Sequence, residues 1–352
     1  MLRNPHLKRL LPCALILAAL SSAIASAQDT APAKAPAAVA PAKAPPAPPV
    51  PLLWKVSDAD NAVYLLGSFH LLKSDDYPLS PDVDAAFAAA DKVMFEVPPE
   101  QMTDPGAAAK FMVAAGYPDG RTLSQVLPAE LREKLSRLMG KQGVPVAALD
   151  GYEPWFVNLS LMLGVSQAMG FSPQLGLDLH LMKQASTAKK PTGGLETMEA
   201  QLTVLDSSPM PEQIEGLRDF LDRPTEMPGM LADMHGAWRA GDVAKLDALT
   251  RTEMREKTPQ TYRIVNVERN DAWVPQLQKM LDESKKDDTL VVVGALHLLG
   301  EDGVVEKLRA KGYKIERLCT ACAPGTADLA PAAPAAPAAG APSPAKGQAG
   351  KR

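Results

Sequence analysis

The chain has 352 residues, of which 46% are hydrophobic, 22% are charged and only 5% are aromatic. This composition supplies enough apolar mass to bury a large core. The 37 Lys and Arg residues against 41 Asp and Glu residues give a formal net charge of −4. Because nucleic-acid binding requires clustered Lys and Arg that neutralise phosphates, the composition argues against that class of protein.

The N-terminus has the pattern of a secretory signal peptide. A basic stretch ends at Lys8 and Arg9, an apolar run covers 10–20, and small residues end at Ala27. The apolar run is shorter than the ~20 residues that an ordinary membrane span needs. The pattern predicts a signal peptide over 1–27, a mature chain without a transmembrane segment, and a periplasmic or secreted location. An uncleaved membrane anchor is the alternative.

Two low-complexity segments flank the part of the chain that is expected to fold. Residues 28–51 and 323–352 consist mainly of Ala, Pro and a few polar residues. Such sequence buries too little apolar surface to offset the entropy lost on ordering, so we expect extended, disordered tails. The folded domain is therefore predicted over 52–322.

In chain order, the domain begins with two β-prone runs, 52–57 and 62–67, separated by a turn-rich tetrad that predicts a hairpin. Ser80 and Pro81 then predict the start of a helix that runs to Ala90. Further strands are predicted at 92–97, 191–195, 289–294 and 314–318, and helices over most of 104–182 and 197–249, over 262–283 and over 304–311. Strands near both ends and helices between them predict an α/β fold: a central mixed sheet flanked by helices, with a largely helical middle insertion.

One element occurs twice: the runs YLLGSFHLL and VVVGALHLL are both apolar strands that continue into Gly-x-x-His. Gly67 and Gly294 would permit a sharp turn or the close approach of another backbone. His70 and His297 would then project from strand ends, where open α/β sheets place their ligands. Because imidazole binds Zn, Mn, Co and Fe, the pair predicts a shared divalent cation. Capping of strand-end carbonyls is the alternative.

Acidic residues follow two of the predicted strands, Glu96 in KVMFEV and Glu196 in GGLET. A buried carboxylate is costly unless it is paired or binds a cation, so both are predicted metal ligands. A strand-end salt bridge for Glu96 and a helix N-terminal acid for Glu196 are the alternatives. Asp178 is predicted either to support the site or to cap a helix. Arg269 and Asn270 are predicted to bind a substrate carboxylate or carbonyl, or to form an exposed helix charge.

Cys319 and Cys322, in the run CTAC, directly precede the C-terminal low-complexity segment. In an oxidising compartment this spacing favours a local structural disulfide, and a redox site is the alternative. His180 and His235 have no partner in the sequence, so we expect structural roles for them.

At these residues the sequence resembles the TraB/GumN family, which is related to the Tiki metalloproteases of animals. The resemblance covers nearly all of 52–318 and rests on VYLLGSFHLL, KVMFEV, GLDLHLMKQA, ERNDAW and VVVGALHLLGEDGVVEKLRAKGY. It implies the fold of the erythromycin-esterase/ChaN-like group, with a mixed central sheet and a site at the strand ends. It also implies that His70, Glu96 and His297 form the active centre, with Glu196 nearby and a divalent cation bound.

The leading hypothesis is an exported metal-dependent hydrolase, a peptidase that acts on peptides or protein N-terminal segments. A Mn, Co or Zn ion would activate water, with His70, His297 and Glu196 as ligands and Glu96 as ligand or general base. One alternative is a non-catalytic periplasmic protein that sequesters a peptide. The other is an esterase-like hydrolase in which a His acts as base without metal. The lack of a G-x-S-x-G motif argues against a serine esterase.

Overall fold

The computed structural model of the chain describes residues 47–283 and 286–322. The predicted signal peptide (1–27), most of the predicted linker (28–46) and the predicted C-terminal tail (323–352) lie outside the described residues. Within the described ranges, no helix combines the length and the apolar character that crossing a membrane would require.

A mixed sheet of six strands forms the centre of the fold. Its strands are β1 (Leu53–Ser57), β2 (Ala62–Ser68), β3 (Lys92–Phe95), β4 (Thr192–Gly194), β5 (Thr289–Gly294) and β6 (Lys314–Arg317). They are arranged in the order β4-β3-β5-β2-β1-β6. The pairs that include β1 are antiparallel, and the other three pairs are parallel. The predicted hairpin and mixed sheet are confirmed.

Helices dominate the chain between β3 and β5, which confirms the α/β class. The α-helices are α1 (Pro81–Ala89), α2 (Pro99–Met102), α3 (Ala107–Ala114), α4 (Leu123–Val126), α5 (Ala129–Gly140), α6 (Pro154–Ala168), α7 (Leu177–Ala188), α8 (Met198–Asp206), α9 (Met210–Asp222), α10 (Met227–Ala240), α11 (Val243–Asp247), α12 (Glu253–Lys257), α13 (Pro259–Tyr262), α14 (Arg269–Glu283) and α15 (Val304–Ala310). Short 3-10 helices cover Ser74–Asp76, Val146–Leu149, Pro173–Leu175 and Ala295–Leu298, and π-helical segments cover Ala248–Thr252 and Arg263–Glu268.

Burial explains the two central strands, because every residue of β2 and of β5 is buried. The sequence of a strand that is covered on both faces of the sheet is a nearly continuous apolar run, and the sequences of β2 and β5 fit this description. Local capping explains the start of α1, where the side chain of Ser80 accepts a hydrogen bond from the N–H of Asp82 at 3.2 Å. Pro81 occupies the first helical position, where its missing N–H costs nothing.

Among the described residues, most of the buried apolar side chains belong to two clusters. The larger surrounds the sheet and includes Leu65, Val292 and Trp273. The smaller lies within the helical insertion and includes Leu135 and Leu217. The helical insertion therefore has a hydrophobic core of its own.

The helix predicted over 262–283 is divided in the structure. α13 ends at Tyr262, a π-helical segment covers Arg263–Glu268, and α14 begins at Arg269. A π-helical turn is wider than an α-helical turn and occurs often at functional sites. It directly precedes Arg269 and Asn270, which the prediction had placed within one regular helix.

Residues 47–51, which composition placed in the linker, pack against the domain. The N–H of Val50 donates to the carbonyl of Arg239 at 2.7 Å, and the Arg239 side chain donates to the carbonyl of Ala47 at 2.7 Å. Arg317 donates to the carbonyl of Pro51 at 3.1 Å. At the other end of the domain, Cys319 and Cys322 are joined by a disulfide.

Candidate functional site

The two Gly-x-x-His elements lie side by side. β2 and β5 are hydrogen-bonded parallel neighbours, with Gly67 opposite Val293 and Ser68 opposite Gly294. His70 follows the end of β2, and His297 lies in the 3-10 helix that follows β5. The strands therefore deliver both imidazoles to the same edge of the sheet.

The two motif glycines are required for space rather than for a turn, since neither has a positive φ angle. A Cβ on Gly67 would lie 3.1 Å from the Cβ of Leu52 and 3.2 Å from the Cα of Ala295. A Cβ on Gly294 would lie 3.0 Å from Nε2 of His70 and 3.2 Å from Oε1 of Glu96. Gly67 thus allows backbone packing, whereas Gly294 leaves a space that His70 and Glu96 both face.

His70 is oriented by Asp178. The side chain of Asp178 contacts Nδ1 of His70 at 2.8 Å through one oxygen and accepts from the hydroxyl of Ser68 at 2.8 Å through the other. Because Nδ1 faces the carboxylate, Nε2 is the nitrogen left facing the site. The negative charge of Asp178 raises the pKa of His70 to about 9. The His70 side chain is 62% exposed, so it forms the solvent-facing side of the site.

The N-terminus of α7 fixes Asp178 in that position. The N–H of Leu177 donates to the carbonyl of Phe69 at 3.2 Å. A Cβ on Gly176 would lie 2.1 Å from the carbonyl oxygen of His70, so only glycine fits between the helix and this loop. Asp178 then occupies the first turn of α7, which is favourable for an acid.

Glu96 is held through both of its carboxylate oxygens. Oε1 accepts from the N–H of Gly294 at 2.7 Å, and Oε2 accepts from Gln201 at 2.9 Å and from Arg269 at 2.6 Å. Burial acts to raise the pKa of Glu96, but the nearby side chains of His297, Arg269 and His70, together with the Gly294 N–H, outweigh it and lower the pKa to about 2. Glu96 is therefore an ionised carboxylate with a fixed orientation.

Arg269 lies at the centre of the buried part of the site, with only 8% of its side chain exposed. Its guanidinium donates to both oxygens of Glu196, at 3.1 and 2.6 Å, and to Glu96. It also donates to Nε2 of His297 at 2.9 Å and to the carbonyl of Val265 at 3.2 Å. These contacts use all five N–H donors of the guanidinium.

His297 is a buried imidazole whose tautomer follows from its partners. Since a guanidinium can only donate, Nε2 of His297 accepts from Arg269, and Nδ1 donates to Oδ1 of Asn270 at 2.8 Å. The amide of Asn270 is anchored in turn by donation to the carbonyl of Asp302 at 2.8 Å. Burial lowers the pKa of His297 to about 3, so the ring is neutral.

The four predicted ligands divide into two groups with respect to a cation. His70 Nε2 and Glu96 Oε1 both border the space over Gly294, and a mixed nitrogen and oxygen donor pair suits Zn, Mn or Co. Glu196 and His297 instead contact the guanidinium of Arg269, which supplies the positive charge at that point. Across 47–283 and 286–322, no group of three or more His, Cys, Asp and Glu residues has an arrangement that could hold a metal ion.

His70, Glu96, Glu196, Arg269 and His297 thus lie together, whereas the other two histidines in the described part of the chain lie elsewhere. His180 contacts Gln184 on α7, and His235 contacts the buried carboxylate of Asp76. Arg269 and Asn270 direct their donors to protein groups, so a contact between them and substrate stays a prediction.

Sequence reasoning missed three residues: Ser68, Gly176 and Gln201. Ser68 lies within the Gly-x-x-His run and Gly176 directly precedes α7, so their positions in the sequence could have indicated a role at the site. The position of Gln201, on α8, gave no such indication.

A mixed sheet with histidine and glutamate side chains at the carboxyl ends of its central parallel strands defines an α/β protein with one strand-end site. The chain belongs to the TraB/PrgY/gumN family, whose sequence model matches residues 52–317. No solved structure matches the chain.

Among its relatives is the uncharacterized protein YbaP of Escherichia coli, 24% identical over 246 residues that cover 70% of this chain and 87% of YbaP. The metalloprotease TIKI1 of Danio rerio is 23% identical over 312 residues, covering 75% of this chain and 62% of TIKI1. The metalloprotease TIKI2 of Xenopus tropicalis shows the same identity over 75% of this chain and 59% of TIKI2. This chain therefore spans about three fifths of the length of each animal protein.

Proposed function

We propose that the chain is an exported hydrolase that cleaves peptide bonds, with a divalent cation held by His70 and Glu96. The convergence of His70 Nε2 and Glu96 Oε1 on the space over Gly294 carries this proposal. The similarity to two proteins named metalloproteases supports it. Mn, Co and Zn are all compatible with this donor pair.

A cation bound there would lower the pKa of its water and polarise the scissile carbonyl. The residues of the chain prepare the place for it. Asp178 keeps Nε2 of His70 turned toward the site, and the Gly294 N–H keeps Oε1 of Glu96 turned toward the same space. The exposed side of His70 leaves that space open to an extended substrate.

The buried residues of the site balance its charges and fix the positions of its carboxylates. Arg269 offsets the charges of Glu96 and Glu196 and keeps both carboxylates in fixed positions. His297 and Asn270 orient the guanidinium from the other side. The predicted roles of Glu196 and His297 as metal ligands would require Arg269 to move away from them. Export is supported by the signal-like N-terminus and by a Cys319–Cys322 disulfide that suits an oxidising compartment.

The test is hydrolysis of a peptide library by mature protein purified without a histidine tag. Protein stripped with a chelator should lose cleavage and regain it with Mn, Co or Zn. His70→Ala and Glu96→Gln should each lower the rate at least about 100-fold, because both remove a group that borders the reacting atoms. His180→Ala is the matched control and should cleave like the wild type.

Other outcomes would overturn the proposal in distinct ways. Peptide binding without cleavage would support a sequestering protein. Cleavage that survives the chelator but is lost in His70→Ala would support a hydrolase that uses His without metal. N-terminal sequencing of protein from the periplasm tests export, since cleavage after Ala27 leaves Gln28 as the first residue.

A further inference from the structure

A cavity in the helical insertion is lined by an unusual share of methionines. It has a volume of about 280 Å³ and lies among α6, α9, α10 and α12. Methionine makes up 15 of the 352 residues of the chain but five of the fifteen residues that line this cavity. These five are Met162, Met227, Met230, Met234 and Met254.

Three of these methionines share one face of α10. Met227, Met230 and Met234 are three and four positions apart, so at about 100° per residue they fall within an arc of about 60°. The rise of about 1.5 Å per residue separates successive members by about 4.5 and 6 Å along the axis, within reach of flexible side chains. They therefore form a row of neighbouring thioethers.

Two other helices bring the remaining thioethers to the same cavity. Met162 belongs to α6 and Met254 to α12. Apart from Met227, which is buried, the lining methionines are half-buried, so the cavity is partly shielded from water but open to a small ligand. Thioethers from three helices thus surround one space.

The polar groups that line the cavity include paired charges and a buried amide oxygen. Glu215, Asp219 and Glu253 line the cavity, and Lys257 is the one basic residue that lines it within the described part of the chain. Lys257 pairs with Asp219 at 3.1 Å and with Glu253 at 2.6 Å. Arg223 also pairs with Asp219, and Arg218 pairs with Glu215 at 3.3 Å, so each of these carboxylates has a basic partner. In addition, Oδ1 of Asn158 is buried and accepts no hydrogen bond from the described residues.

We propose that this cavity, defined by the five methionines above, is a binding site for a soft monovalent cation, Cu(I). Thioether sulfur is a soft ligand that selects Cu(I), whereas Mg, Ca and Mn prefer oxygen. The site is separate from the His70–Glu96 site and shares no residue with it. Methionine also fills irregular apolar gaps, and the experiment distinguishes this role from cation binding.

The experiment is an anaerobic titration of the mature chain, purified without a histidine tag, with Cu(I) in competition with a chromophoric Cu(I) chelator. Leucine keeps the volume and apolar character of methionine but removes the sulfur. The test variant is Met230→Leu/Met234→Leu. The matched control is Met182→Leu/Met280→Leu, two half-buried methionines that pack against the sheet core and do not line the cavity.

Wild type and control should hold one equivalent of Cu(I) per chain, and the test variant should bind it at least tenfold more weakly. If the wild type loses Cu(I) completely to the chelator, or if both double variants bind alike, the proposal is overturned. Should the test variant fold poorly, the wild type labelled with ¹³C at the methionine methyls provides a second measurement. Ag(I), a redox-inert substitute, should shift the Met230 and Met234 signals and leave those of Met182 and Met280 in place. Unchanged Met230 and Met234 signals would contradict the site.

Discussion

Oδ2 of Asp178 lies 2.8 Å from Nδ1 of His70, although 108 positions separate the two residues in the sequence. The contact fixes which nitrogen of the imidazole faces the site, and the second oxygen of Asp178 is fixed by Ser68. A carboxylate that hydrogen-bonds to the far nitrogen of a functional histidine orients the ring. Its mutation usually lowers affinity or activity, although the carboxylate does not itself contact the reacting group.

Asp178→Asn should therefore lower peptide hydrolysis by about 10- to 100-fold, less than His70→Ala does. Loss of the negative charge should also lower the pKa of His70 in metal-free protein, because Asp178 is the main cause of its rise. Histidine NMR titration measures the second effect. Asp84→Asn, which removes an exposed carboxylate on α1, is the control. A His70 pKa equal in both variants would contradict the orienting role.

The two motif glycines should respond differently to an added methyl group. Gly294→Ala should lower hydrolysis at least about tenfold, because its Cβ would press on the side chains of His70 and Glu96 that border the proposed cation. Gly67→Ala should lower stability by about 1–3 kcal/mol, because its Cβ would overpack against Leu52 and the backbone of Ala295. Urea unfolding and activity assays on both variants test this. Equal effects in both assays would contradict it.

Removal of the Arg269 guanidinium should be strongly destabilising. Arg269→Met leaves Glu96 and Glu196 buried without their counter-charge, at a cost of about 3–5 kcal/mol. Arg263→Met is the control, since Arg263 is 61% exposed and its pair with Glu268 is worth about 0–1 kcal/mol. Mn or Zn should restore stability to Arg269→Met more than to the wild type, because a cation can replace the lost charge. An Arg269→Met variant as stable as the control would contradict this.

A second buried charge cluster predicts acid sensitivity. The fully buried Asp76 contacts His235 at 3.0 Å, the N–H of Lys73 at 2.8 Å and the guanidinium of Arg239. Burial acts to raise the pKa of Asp76, but these hydrogen bonds outweigh it and lower the pKa. A carboxyl with a lowered folded-state pKa stabilises the fold above its unfolded pKa of ~3.9, and this stabilisation is lost as the pH falls through the folded value.

Asp76→Asn should consequently cost about 3 kcal/mol or more at pH 7, and its deficit relative to wild type should shrink below about pH 4. Denaturant titrations at pH 7 and pH 3 measure both quantities. The neighbouring Asp75 is exposed, so Asp75→Asn should change stability by less than about 0.5 kcal/mol. A deficit that is independent of pH would contradict the role of the Asp76 charge.

Patterns that are local in sequence predicted the fold well. β5 has the bounds that its apolar run predicts, and Ser80 caps α1 as its position before Pro81 predicts. The π-helical segment before Arg269 had no such signal, because its residues also fit an ordinary helix. The spacing of apolar residues along the sequence does not show whether one turn of a helix contains an extra residue, so it could not predict the π-helical segment.

The site was less predictable, because its contacts cross long stretches of sequence. His70, Glu96 and His297 could be proposed from their positions after apolar strands. The role of Arg269 could not, since its partners His297, Glu196 and Glu96 lie 28, 73 and 173 positions away. The order of the strands in the sheet and the position of α14 against it bring these groups together.

That strand order also determines when the site can form. β5 lies between β2 and β3, so the strands that lead to His70 and Glu96 are not neighbours of each other. Both groups are in the chain within its first hundred residues, yet Gly294, which anchors Glu96 and faces His70, follows almost two hundred residues later. In a nascent chain that still lacks β5, the strand that joins β2 to β3 is missing, so His70 and Glu96 are not held next to each other. Nearly the whole domain must therefore be synthesised and folded before this group of side chains can come together.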